Sequence, residues 1–242
     1  MRLTRIYFPF SVNSEHIITI TDEKAHYLRS VLRFKSGQKL HIFNHLQQEF
    51  LAEILAINKK GIELKLINKV VLIEPSKLCI TLVQSLSKGE RMDYSIQKAT
   101  ELGINTIQPL FSEYSEVKLK GERLTKKIKH WQNIAISASE QSFRADIPTI
   151  LSPIKLEDYT KIKQTGMFLQ PNESQTINQC AKNNWVKFDV VVGPEGGWSH
   201  NDLDSLQKCG LQGIRFGQRI LRTETMAPAL LAAIHALWGD FK

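Results

Sequence analysis

Two stretches decide how this chain is read: Val190-Val191-Val192-Gly193-Pro194-Glu195-Gly196-Gly197, and Phe216-Gly217-Gln218-Arg219-Ile220-Leu221-Arg222-Thr223-Glu224-Thr225. Each joins a short apolar run to a glycine-bearing loop, the pattern of a buried strand that ends and turns. Asp189 to Val192 and Gly213 to Phe216 read as strands; Asn201 to Lys208, closed by Gly210, reads as the helix between them. Strand, helix, strand in that order implies parallel pairing. Open parallel sheets bind ligands beyond the carboxyl ends of their strands, so both loops are candidate ligand loops. A third such end, Phe168-Leu169-Gln170-Pro171, follows a strand over Met167 to Leu169.

The same rhythm extends back to Pro75. Leu78 to Val83 and Thr106 to Leu110 are apolar strands, and Arg91 to Leu102 is a helix with Gly103 just past its end. Leu124, Ile128, Trp131, Ala135 and Ala138 recur at helical spacing, predicting a helix from Glu122 to Glu140. Ala227 to Leu237 is the last helix, with Pro228 in its first turn. Upstream of the linker-like Glu74-Pro75-Ser76 the pattern changes. Ile17 to Ile20, Lys39 to Phe43, Phe50 to Ile57 and Ile62 to Val71 are short and β-rich, with one helix from Asp22 to Leu32 capped by Thr21. Short strands at that spacing suggest a small β-barrel. The expected division is therefore a β-barrel over residues 1–73 and an α/β domain with a mostly parallel sheet over residues 74–242.

Hydrophobic residues make up 42% of the 242 residues, which excludes global disorder. Lys and Arg outnumber Asp and Glu by 32 to 24, a net charge of +8 that favours a polyanionic partner, nucleic acid first. Residues 1–73 hold 11 basic and 6 acidic residues (net +5), the remainder 21 and 18 (net +3), so the small first domain is the more basic per residue. That suits a docking module beside a catalytic one. Cys79, Cys180 and Cys209 lie far apart with no C-x-x-C pair, so no cysteine zinc site is expected. Met1 to Arg5 is basic but leads into no signal-peptide core, and the apolar stretch Met226 to Trp238 is too short to span a bilayer. A cytoplasmic protein without metal or membrane partner is expected.

The Gly193 loop exposes backbone with little side-chain cover, so its main-chain groups can meet a ligand closely. By itself it also fits a tight strand-to-helix turn. In the second loop Ile220 and Leu221 could flank a flat apolar ring, and Thr223 or Thr225 could cap the last helix. Arg222 either pairs with Glu224 or Glu195, or holds a polar substrate edge. After the first α/β strand the chain reads Gln84-Ser85-Leu86-Ser87-Lys88-Gly89-Glu90, neither G-x-G-x-x-G nor a P-loop, which argues against ordinary Rossmann and nucleoside-triphosphate readings.

Gly193-Pro194-Glu195-Gly196-Gly197 followed by Ile220-Leu221-Arg222-Thr223-Glu224-Thr225 resembles the SPOUT methyltransferases. Lys98-Ala99-Thr100-Glu101-Leu102-Gly103, Glu140-Gln141-Ser142 with Arg144 and Pro148, and His26-Tyr27-Leu28 with Val31-Leu32-Arg33 narrow the resemblance to the RsmE family, the bacterial 16S rRNA uridine-N3 methyltransferases. It covers nearly the whole chain; Met226, where alanine is expected, is a departure. The resemblance implies an N-terminal PUA-like barrel and a C-terminal parallel-sheet domain tied in a trefoil knot. It also implies S-adenosylmethionine as cofactor, a homodimer packed through the knot, and 16S rRNA or the small ribosomal subunit as partner. The implied cofactor-binding residues are Leu169, Gly193, Pro194, Gly197, Phe216, Gly217, Ile220, Leu221 and Thr223. Arg222 is expected to stabilise the uracil anion, and Glu195 or Glu224 to accept its proton.

Candidates for phosphate contact are Arg5, Arg29, Arg33 and Lys35 on the first domain and Arg144 from the catalytic side. Lys118, Lys120, Arg123, Lys126, Lys127 and Lys129 read as a solvated helix face, and His26 as packed or surface-bound rather than catalytic. Two rival readings are a SPOUT enzyme acting on another RNA and a non-catalytic RNA-binding assembly factor.

Overall fold

Strict alternation builds the first sheet. In β4 (Glu49–Ile57) Phe50, Ala52 and Ile54 are buried, and in β5 (Ile62–Lys69) Ile62, Leu64 and Leu66 are buried. With β1 (Arg5–Tyr7), β2 (Ile17–Ile20) and β3 (Lys39–Phe43) these strands form a mixed sheet in the order β1-β3-β4-β5-β2, a half-barrel in which β1 runs parallel to β3 and the other pairs are antiparallel. The computed structural model describes residues 3–12, 16–72, 74–115, 117, 119–180 and 184–241. Its two compact units are residues 1–74 with 139–147, and residues 75–138 with 148–242.

The helix expected from Asp22 to Leu32 is two pieces, α1 (Asp22–His26) and a π-helical turn from Tyr27 to Val31. The wider turn puts Leu28 wholly in the core with Leu40, Ile42 and Ile54, while Tyr27, Arg29 and Val31 stay exposed. Arg33 then takes a left-handed backbone, φ +52°. For a non-glycine residue that is an uncommon conformation.

In the second unit the order is β6 (Cys79–Ser85), α2 (Arg91–Glu101), β7 (Thr106–Phe111), α3 (Gly121–Ser142), β8 (Thr149–Ile150), β9 (Ile154–Lys155), α4 (Leu156–Tyr159), β10 (Gly166–Leu169), α5 (Ile177–Cys180), β11 (Lys187–Val192), α6 (His200–Lys208), β12 (Gln212–Ile214) and α7 (Thr223–Trp238). The strands lie in the order β12-β10-β11-β6-β7-β8, with β9 also on β7, and every pairing is parallel. All four residues of β10 are buried, as in a sheet covered on both faces. Because β11 lies between β10 and β6, and β12 lies outside β10, the carboxyl ends of β10, β11 and β12 stand side by side.

The last helix begins earlier than its sequence pattern implies. Arg222 takes the N-cap position without a side-chain cap bond, so neither Thr223 nor Thr225 caps α7, and Pro228 falls inside the helix. Pro228 has no N–H for the carbonyl four residues back. By contrast, Ser199 and Asp202 form a reciprocal capping box on α6.

Candidate cofactor and catalytic site

A cleft of about 720 Å³ opens at the adjacent ends of β10, β11 and β12. Leu169 lines it from the first strand end, Gly193, Pro194, Glu195 and Gly197 from the second, and Phe216, Gly217, Ile220 and Leu221 from the third. Arg222, Thr223 and Glu224 line it from the start of α7. The structure thus brings together every cofactor and catalytic candidate named from the sequence. Sequence reasoning missed Arg91 and Trp198, which line the same cleft; Arg91 registered only as a helix start.

Gly193 is required by close approach. A Cβ there would lie 2.9 Å from the Trp198 indole. That indole is fixed, because Nε1 donates to the Leu169 carbonyl at 2.9 Å and so ties the β11 loop to the end of β10. Gly217 has φ +77° and open space where a side chain would stand, which bares the backbone of the third loop. Ile220 is 87% exposed although apolar, a side chain at the cleft without a protein surface to cover it.

The charged end of the cleft is organised by Arg91. Its Nη1 donates to Glu195 Oε1 at 2.8 Å, and its Nε is 3.9 Å from Glu224 Oε1. The hydrogen bond to Glu195, then the charge of Glu224, tighten the Arg91 guanidinium's hold on its proton. Arg222 approaches Glu224 Oε1 only to 4.0 Å and its side chain is 80% exposed, so the pairing that would have explained it away is weak. Glu224 is well shielded, and its second oxygen, Oε2, is buried without a hydrogen-bond partner among the described residues. A carboxylate in the first turn of α7 also complements the helix dipole.

The RNA candidates separate. Arg29, Arg33 and Lys35 are exposed on the half-barrel, with Arg29 donating to the Asn58 carbonyl at 3.0 Å. Arg5 is not a surface group. It is 4% exposed, donates to Glu49 Oε2 and the Ser139 carbonyl, and stacks 3.7 Å from the Phe43 ring centre. It is withdrawn from the docking set. Arg144 groups with the first unit rather than the second, and its guanidinium is held by Asp146 with the side chain only 12% exposed. In the lysine run Lys127 pairs with Asp93 at 2.9 Å and Lys126 lies 3.8 Å from Glu122; Lys118 falls outside the described residues. His26 is exposed. Among the described residues no three His, Cys, Asp or Glu cluster as a metal site, and no helix is long and apolar enough to cross a membrane.

A half-barrel joined to a parallel-sheet unit with a cleft at three neighbouring strand ends is the architecture of a two-domain RNA methyltransferase. The RNA methyltransferase domain family matches residues 74–235, and the RNA methyltransferase PUA domain family matches residues 20–67. The ribosomal RNA small subunit methyltransferase E of Buchnera aphidicola subsp. Schizaphis graminum is 39% identical over 99% of this chain and 98% of its own, and that of Rickettsia conorii is 32% identical over 98% and 97%. The chain belongs to the ribosomal RNA small subunit methyltransferase E family, and its parallel-sheet unit is of the SPOUT type. Among solved structures it is similar to the Neisseria gonorrhoeae methyltransferase E bound to S-adenosylmethionine (TM-score 0.91, 32% identity, all of both chains). It is also similar to a putative Legionella pneumophila methyltransferase bound to the same cofactor (TM-score 0.92, 33% identity, all of both chains).

Proposed function

We propose that this protein transfers a methyl group from S-adenosylmethionine to N3 of a uridine in 16S rRNA of the small ribosomal subunit. The observation that carries the reading is the cleft itself, where three strand ends, two of them leading into glycine-bearing loops, and the start of α7 converge. Its residues fit the cofactor. Leu169, Phe216, Ile220 and Leu221 offer apolar surface for an adenine ring, and the loops at Gly193, Gly197 and Gly217 present main chain for ribose and amino-acid groups, with Pro194 stiffening one loop and Thr223 at the helix start. The bound cofactor supplies an electrophilic methyl carbon.

The protein's part is alignment and charge. Uracil N3 sits on the pairing edge and carries a proton, so the base must be unpaired and the proton removed. Arg222 holds a uracil carbonyl and stabilises the anion in this reading, which its exposed side chain at the cleft supports. Glu195 and Glu224 are the carboxylates within reach of that end of the cleft. Arg29, Arg33 and Lys35 supply phosphate contacts that position the RNA, whereas Arg144, little exposed and held by Asp146, does not join them. The chain works as a homodimer in the cytoplasm, with its C-terminal segment in a trefoil knot, a reading that rests on its membership of the methyltransferase E family.

The test is methylation of purified small subunits from a strain lacking the activity, followed by nucleoside identification. The reading expects 3-methyluridine in 16S rRNA and fails on any other product. R222A should lower turnover about 10²–10³-fold while calorimetric affinity for S-adenosylmethionine stays within about threefold.

A further inference from the structure

The loop that follows β12 carries three arginines, Arg215, Arg219 and Arg222, and all three line the cleft and are exposed. The backbone at Arg215 is anchored, because its N–H donates to the Gln175 carbonyl at 2.8 Å and the residue bridges Thr176. Gly217, at φ +77°, then turns the chain, and Arg219 borders the same opening. The charges of the cleft do not balance. Arg91, Arg215, Arg219 and Arg222 stand against Glu195 and Glu224, four positive to two negative, a surplus of +2. Arg91 is paired with Glu195 at 2.8 Å, and Glu224 lies 4.0 Å from Arg222. The side chains of Arg215 and Arg219 meet no carboxylate among the described residues. Unpaired guanidinium groups at a ligand site suit an anion that the site receives. S-adenosylmethionine does not account for the surplus. It carries a sulfonium and an ammonium against one carboxylate, and is itself a net cation. RNA does account for it. A base drawn out of its stack toward the cofactor leaves its phosphates at the mouth of the cleft, where exposed arginines can hold them.

We propose that Arg215 and Arg219 form a phosphate clamp at the cleft mouth, gripping the RNA backbone beside the target nucleotide and so presenting its base to the cofactor. The inference rests on the reading of this cleft as a site of RNA methyl transfer, and it holds whichever atom of the base is methylated. One loop then serves both ligands: Phe216, Gly217, Ile220 and Leu221 the cofactor, Arg215 and Arg219 the phosphates. Arg222 is left to the base. The clamp also gives the second unit phosphate contacts of its own, separate from Arg29, Arg33 and Lys35 on the first.

The test is a salt titration of binding to small subunits from a strain lacking the activity, for the wild type, R215A, R219A, R215K, R219K and R215A/R219A, with S-adenosylmethionine calorimetry on each. R215A and R219A should each weaken subunit binding about 3–10-fold near physiological salt and flatten the log–log slope by about 0.7–0.9. The double variant should flatten it by about twice as much. R215K and R219K keep the charge and should keep the slope, but lose part of the affinity, because lysine cannot meet a phosphate with two parallel bonds. In turnover the losses should appear in KM for the subunit more than in kcat. Cofactor affinity should stay within about threefold, which shows that the fold and the cofactor pocket are intact. The cofactor's carboxylate is the other anion at this cleft. An unchanged slope in R215A or R219A removes that arginine from the clamp, and an accompanying loss of about tenfold or more in cofactor affinity assigns it to that carboxylate instead. An unchanged slope in R215A/R219A overturns the clamp altogether. Wild-type binding that ignores salt defeats RNA as the ligand, and the methyl-transfer reading with it, whatever the variants do.

Discussion

Replacing Arg5 with methionine separates two roles a basic N-terminal residue can have, phosphate contact and internal ion pair. Its side chain is 1% exposed and that of Glu49 is 4% exposed. The guanidinium reaches Glu49 Oε2 through Nε at 2.9 Å and Nη2 at 2.8 Å, and the Ser139 carbonyl through Nη1 at 2.8 Å. Methionine keeps most of the stem's packing but strands a buried carboxylate. Removing one partner of a buried pair costs about 3–5 kcal/mol, a large share of the ~5–15 kcal/mol that holds a domain folded. His41 Nδ1, 2.7 Å from Glu49 Oε1, offers partial compensation and points to the lower end, about 3 kcal/mol. R5M/E49L, which replaces the whole pair by apolar groups, should recover most of the loss. All four tryptophans, Trp131, Trp185, Trp198 and Trp238, belong to the second unit, so their fluorescence reports the wrong one. Native-state hydrogen exchange of the β3 and β4 amides, read beside RNA affinity, is the suitable assay. R5M with exchange within about 1 kcal/mol of wild type and a tenfold loss of RNA affinity would refute the burial argument and restore Arg5 to the docking surface.

G193A drives a methyl into the Trp198 indole, 2.9 Å away. It should cost about 1–3 kcal/mol, or about 2–4 °C of Tm per kcal/mol, and weaken S-adenosylmethionine at least tenfold by calorimetry. Asp93 yields a pH prediction. Burial opposes its charge, but hydrogen bonds from Lys127 and His130 outweigh that and hold its carboxyl below the usual carboxylate range. A lowered folded-state value means its stabilisation is present above the ordinary range and fades as pH falls through the folded value. The stability gap between wild type and D93N, measured by urea unfolding, should therefore be wide at pH 7 and close below about pH 4; a gap that widens in acid contradicts the sign. R33A and K35A should each flatten the salt dependence of RNA binding by about 0.7–0.9 in log–log slope, whereas an unchanged slope removes that residue from the phosphate-contacting set.

The ligand loops were legible because their signals are local. A glycine one residue beyond an apolar run reports a strand end wherever the rest of the chain goes, and parallel order then puts neighbouring ends on one side. The two-residue strands β8 and β9 carry no such period, and so went unread. At α7 a local rule misled: Pro228 suggested a first turn, yet the helix begins at Thr223, which is why Glu224 faces the cleft from helical backbone rather than from a loop.

Charged residues were legible only as charges, because what they do depends on partners far away in the chain. Arg5 meets Glu49 across 44 positions and Ser139 across 134, so basicity at the N-terminus predicted a surface role that tertiary packing cancels. Arg91 meets Glu195 across 104 positions, which explains how a residue that looked like a helix start became the organiser of the cleft's charged end. A glycine loop offers a ligand the same backbone whatever stands near it, whereas a carboxylate is a spectator or an acceptor according to which guanidinium already holds it. Apolar and conformational signals in this chain therefore located the cleft, and only the fold showed that Arg91 donates to Glu195 within it.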